Sequence, residues 1–211
     1  MVLAMDVLKA RIKEFNEAIA NLPDEDSDYL HYFGIESTGL ASAEQLNELL
    51  PFFDMEVPAY YQQIGGLRND SEDYHLNIPS VSTLLEELKA ERNSDKRYSM
   101  GLIDAIKHSW GNDRPEFQHI SPVEIDYINA NYKCIGFYRY DGQLEEAFYI
   151  YFDAQHQFGL ARYHQDEFDE LWEEHLTPML TKSQADKSLE QLLIQVLDCL
   201  EEGIMNDLDE D

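Results

Sequence analysis

The sequence predicts an α+β fold with a mostly antiparallel sheet, and three observations carry the prediction. Apolar residues recur at helical spacing near both ends of the chain. Between residues 135 and 163 the period drops to two, with aromatic and β-branched runs set apart by turn residues such as Asp141-Gly142. Serines followed three residues later by a glutamine or an acid mark helix starts in between. The expected organisation is a single domain over residues 1–205. Its sheet ends in a three-stranded C-terminal meander packed by several helices, an N-terminal helix (2–21) and a C-terminal helix (183–204) are additions, and an acidic tail (206–211) closes the chain.

Leu8, Ile12, Phe15, Ile19 and Leu22 stack on one face of the first helix, which Pro23 ends. Asp24-Glu-Asp-Ser-Asp28 spaces carboxylates like a calcium loop. It fails as one, because Tyr29 stands where the loop needs glycine and Ile35 where it needs glutamate, so it reads as a solvated linker. Ser42 and Gln45 form a capping box before Leu46, Leu49 and Leu50, and that helix stops at Pro51. A short helix over 58–64 ends at Gly65-Gly66. Tyr74–Ile78 reads as a strand, and Val81, Leu84, Leu85 and Leu88 as one helix face before the charged loop 91–97. Leu102, Ile103, Ile106 and Trp110 predict a helix ended by Gly111. Ser121-Pro122-Val123-Glu124 supplies a cap, a first-turn proline and an acid for the next helix. Strands follow over 135–140, 147–152 and 158–163. A helix over 166–175, closed by Pro178 and capped at its start by Gln165 or Asp166, leads to a last helix opened by Ser183 and Asp186. The stripe from Leu189 to Ile204 in that last helix must bury against its own domain or in a homodimer.

Composition bounds the function. With 15 Lys+Arg against 43 Asp+Glu the net charge is −28, yet 44% of residues are hydrophobic and 12% aromatic, so the chain can fold around a core. Such acidity excludes a nucleic-acid binder, whose affinity for phosphate comes from lysine and arginine, and favours a basic protein partner. Cys134 and Cys199 form neither a disulfide framework nor a C-x-x-C pair and read as buried thiols. The apolar run at the amino terminus breaks at Asp6, too soon for a secretory or membrane segment, so the expected location is the cytoplasm.

No catalytic motif emerges. His164 and His175 are eleven residues apart, about 16 Å along one helix, too far to share a metal ion. His164 and Glu167 can lie one turn apart, a pairing more typical of a surface histidine beside a carboxylate. No H-E-x-x-H, G-x-S-x-G or G-K-[ST] occurs. Adjacent acids such as Glu145-Glu146 and Glu173-Glu174 are too common here to single out a general acid and base. The loop Trp110-Gly-Asn-Asp-Arg-Pro115 reads first as a hydrogen-bonded corner and second as a partner contact. The expectation is a protein without catalysis, cofactor or metal.

Gly34-Ile-Glu-Ser-Thr-Gly-Leu-Ala-Ser-Ala-Glu44, the leucine-bearing short helix, Val57-Pro-Ala-Tyr-Tyr61 and Gly65-Gly66 together resemble the amino-terminal pattern of the SUKH superfamily. Ile135-Gly136, Tyr149-Ile-Tyr-Phe-Asp153 and the aromatic helix 168–176 are similar to its later half. The likeness spans residues 30–178. It departs where the family's Leu-Pro is Val57-Pro58 and where its asparagine before glycine is Ile64. The resemblance implies a helix-packed antiparallel sheet and an immunity protein that blocks the active site of a cognate toxin, such as a secretion-system or contact-dependent effector of bacterial competition. Fungal relatives imply the alternative of a regulatory interaction scaffold for cell-wall synthesis.

Acidity agrees with the first reading, since a toxin acting on an anionic substrate is usually basic and would be steered to a negative surface. Asp113, Asp166, Glu167, Asp169, Glu170 and Glu173 are the candidate contacts, with Tyr163 and Trp172 as aromatic anchors. A hydrolase is the remaining alternative and would need two acids about 5–9 Å apart in a cleft.

Overall fold

In the computed structural model, residues 4–22, 32–92, 100–110, 115–140 and 145–210 are described. The chain forms two compact units, each assembled from separated stretches: Met1–Ser82, Tyr138–Leu144 and Ser188–Asp211 in the first, Thr83–Phe137 and Glu145–Lys187 in the second. Both combine helices with antiparallel strands, the α+β class expected.

The first unit contains α1 (Asp6–Ala20), β1 (Glu36–Ser37), α2 (Ala43–Leu49), α3 (Glu56–Gln63), β2 (Leu67–Arg68) and β3 (Leu76–Asn77). It is completed by the last helix, which runs Leu189–Glu210. Helix α1 begins at Asp6, four residues later than expected. Met5 precedes it with no side-chain cap and lies buried, while Asp6 places its charge in the first turn. The capping box of α2 forms in full: Gln45 N donates to Ser42 Oγ at 3.2 Å and Ser42 N to Gln45 Oε1 at 2.9 Å.

Helix α3 ends where Gly65 takes φ +87°, and the Gly39 carbonyl occupies the space a β-carbon would need, so only glycine fits there. β1 pairs with β2 through Glu36↔Arg68 and Ser37↔Leu67, and β2 with β3 through Arg68↔Asn77. The strand expected over 74–78 thus shortens to two residues. The buried amide of Asn69 holds the β2–β3 turn, donating to Tyr74 O at 2.5 Å and accepting from Leu76 N at 2.9 Å.

The second unit begins within α4 (Val81–Arg92), which buries Val81, Leu84, Leu85 and Leu88, the face read from the sequence. α5 (Leu102–Trp110), a 3₁₀ turn (Pro115–His119) and α6 (Pro122–Asn131) follow. The strands β4 (Tyr132–Tyr138), β5 (Glu146–Asp153) and β6 (Phe158–His164) lie side by side in chain order. β5 and β6 are antiparallel from Glu146↔His164 to Phe152↔Phe158. Beyond them come α7 (Phe168–Glu170), one π-helical segment (Leu171–Leu176) and α8 (Thr177–Met179).

Pro178 does not close this helix as expected. It lies within α8, in the last turn of a helical run that continues without a break from the π-helical segment. The last helix, now α9 (Leu189–Glu210), does not open at Ser183 and Asp186. Ser183 donates instead to Asp153 Oδ2 at 2.5 Å, and the start falls to a reciprocal pair in which Gln191 N donates to Ser188 Oγ and Ser188 N to Gln191 Oε1, both at 3.1 Å. The tail expected to fray from Asn206 continues as helix to Glu210.

Two hydrophobic assemblies result. In the first unit Leu189, Leu192, Leu193, Val196, Leu197, Leu200 and Ile204 of α9 are buried, with α1 and α3 packed on that helix. The second unit gathers Leu102, Ile103, Ile106, Phe117, Ile128, Tyr149, Tyr151 and Tyr163. Tyr132 there donates its hydroxyl to Met179 O at 2.8 Å. Gly159 leaves room for the Tyr151 hydroxyl, which would stand 2.6 Å from an added β-carbon.

Candidate partner-binding surface

Apart from Asp113, the acidic residues singled out in the sequence follow β6 in the second unit, and alternation along β6 decides what faces them. Ala161 and Tyr163 point into the core, whereas Arg162 and His164 are half-buried. Tyr163 is 1% exposed, so it is no surface anchor. Its ring meets Trp110 and Phe117 edge-to-face, at centroid separations of 5.6 and 5.8 Å, and its hydroxyl donates to Glu116 Oε1 at 3.0 Å.

Arg162 organises the carboxylates around it. Its Nε donates to Glu146, its Nη1 donates to Glu170, and Nη1 also lies 3.2 Å from Glu167 Oε2. The hydrogen bond from Arg162 holds the Glu170 carboxyl below its ordinary value. Glu170 is therefore a half-buried internal ligand, and Glu167 remains exposed but tethered. Asp166, Asp169 and Glu173 are exposed, as is the neighbouring Glu174. Trp172 is half-buried, one side packed on the core and the other accessible. Asp113 lies outside the described residues.

The helix start after β6 is capped differently from the expectation. Neither Gln165 nor Asp166 caps it. Instead Asp166 N donates to His164 Nδ1 at 3.3 Å and Glu167 N to His164 O at 3.0 Å. His164 and Glu167 thus meet through backbone, and among the described residues no group of three His, Cys, Asp or Glu side chains could hold a metal ion. The π-helical segment widens the turn that carries Trp172, Glu173 and Glu174, and residue spacing gave no signal of it. His175, on the same segment, has its pKa lowered by burial, against the opposing pull of Glu174 and Glu170.

Neither thiol is poised to react. Both cysteines are half-buried rather than fully buried, and burial pushes the Cys134 thiol up to about 12. Glu87 is also raised by burial, with Glu86 adding to the shift and His108 opposing it. Among the described residues no helix is long and apolar enough to cross a membrane.

Compared with known proteins, the chain matches no family model, no curated protein and no solved structure. What the arrangement offers chemically is a run of mostly exposed carboxylates with two half-buried aromatic side chains, Phe168 and Trp172, among them. It suits contact with a cationic surface.

Proposed function

We propose that this protein is a non-catalytic acidic binder that neutralises a basic toxin by covering its active site, the role implied by its resemblance to the SUKH superfamily. The observation that carries the reading is the run Asp166–Glu174. Arg162 takes up Glu170 and tethers Glu167, while Asp166, Asp169, Glu173 and Glu174 face solvent beside a half-buried tryptophan. A net charge of −28 supplies long-range attraction, which raises the rate of encounter with a cationic partner. Trp172 would supply the desolvated centre of such an interface and the carboxylates its rim. Toxins that act on nucleic acid or other anionic substrates carry cationic clefts, and an acidic run of this kind is complementary to one.

The test is to look directly upstream for a toxin-bearing reading frame and to take the protein it encodes as the partner. The chain should bind it and suppress its activity. Neutralisation of the exposed run is best made as D166N/D169N/E173Q/E174Q, which leaves the Arg162 partners intact. That variant should bind at least about tenfold more weakly, since each rim charge removed slows association and the four act together. Equal binding by the variant, or binding without suppression, contradicts the proposal.

A further inference from the structure

A second surface of the same unit has a specific chemistry. Helix α6 is held on one side by Ile125 and buried Ile128, and by Asn129, whose Oδ1 accepts from Ile103 N at 2.9 Å and Asp104 N at 3.2 Å. Its start is locked by a complete capping box, in which Glu124 N donates to Ser121 Oγ at 3.3 Å and Ser121 N to Glu124 Oε2 at 3.0 Å. The opposite side should be polar on a helix so fixed. Instead it carries Val123, 77% exposed, and Tyr127, 44% exposed, one turn apart, with exposed Asp126 and the small, exposed Ala130 completing the stripe at i, i+3, i+4 and i+7.

The occupant follows from charge and shape. A second copy would bring another −28 to the contact, so self-association on this face works against electrostatics. A cationic partner meets no such penalty. Among cations, an arginine suits the stripe best: its guanidinium can lie over the phenol ring, its charge can meet the Asp126 carboxylate, and its aliphatic stem can cover Val123, while Ala130 adds little bulk beside the ring. Lysine, a compact and strongly hydrated charge, gains less from the ring.

The geometry points to the outer stripe of α6, centred on Tyr127, as a docking site for an arginine of a basic protein partner. This rests on the reading of the chain as a binder of basic protein and adds a second place, and the side chain there, through which such a partner engages.

The test uses the full chain with two probes of equal charge, nona-arginine and nona-lysine, titrated by calorimetry in low-salt buffer. Nona-arginine should bind more tightly than nona-lysine. Y127A should weaken nona-arginine by about two- to fivefold, the range of an exposed cation–π contact, and leave nona-lysine nearly unchanged. Y127F keeps the ring and should keep the wild-type affinity for arginine. Equal loss for both peptides, or no loss with Y127A, overturns the assignment while leaving the acidic-binder reading intact. Failure of both peptides to bind the wild-type chain removes that reading as well. The side chain is exposed, and circular dichroism of Y127A should match the wild type.

Discussion

Arg11 in the first unit and Arg162 in the second each grip more than one carboxylate, but the carboxylates differ. Arg11 on α1 donates from Nε to Asp198 at 2.7 Å and from Nη2 to Glu201 at 2.6 Å, both on α9, and their side chains are 59% and 28% exposed. Arg162 holds Glu146, whose side chain is only 5% exposed, together with Glu167 and Glu170. Water can replace Arg11 around its partners. It cannot do so for Glu146 without disturbing the sheet, so the worth of a cation in this acidic chain is set by how deeply its partner is buried.

Graded losses of stability follow from that difference. R162A should destabilise the protein by about 3–5 kcal/mol in chemical denaturation, the cost of leaving a buried carboxylate without its partner, and E146Q should recover part of that loss. A loss no greater than that of R11A would break the contrast. N129A, which strips the acceptor from two N–H groups at the start of α5, should cost about 1–2 kcal/mol by the same measurement. R11A should cost less than about 1 kcal/mol, and its effect should shrink further in salt.

Acidification sharpens the contrast again. His175 in the second unit and His75 in the first both have pKa values below 6.5, chiefly through burial, so folding favours their neutral forms. Their contribution to stability is complete above the ordinary histidine pKa and is lost as pH falls through that value toward the lowered one. Glu170 adds a second decline in the second unit, below its ordinary carboxylate value of 4.5. Unfolding followed against pH should show a shallow loss from about pH 7 downward that H175Q reduces. No change in that loss with H175Q would contradict the assignment.

How much of the molecule is legible in the sequence depends on the range of the interaction. The capping boxes at Ser42 and Ser121 are readable because donor and acceptor lie three residues apart. Ser183 misleads because its hydroxyl serves Asp153, 30 residues away, while the true pair, Ser188 with Gln191, lies five residues further on. Tyr163 reads as an anchor by residue type, although strand parity with Ala161 places it inward. The two-residue strands β1 and β2 carry no periodicity to detect, since their pairing is fixed by partners about 30 residues apart. The acidic run 166–174 is visible in composition alone, whereas the part Arg162 plays within it, and the α6 stripe, need neighbours that only the fold supplies.

The most direct test of the acidic-docking mechanism is the affinity of this chain for a basic toxin whose activity it suppresses, as ionic strength is raised about tenfold, which shortens the screening length about threefold. Binding that weakens steadily with salt, through slower association, is the predicted result. An affinity indifferent to salt would contradict a mechanism built on docking a negative exterior against a positive one.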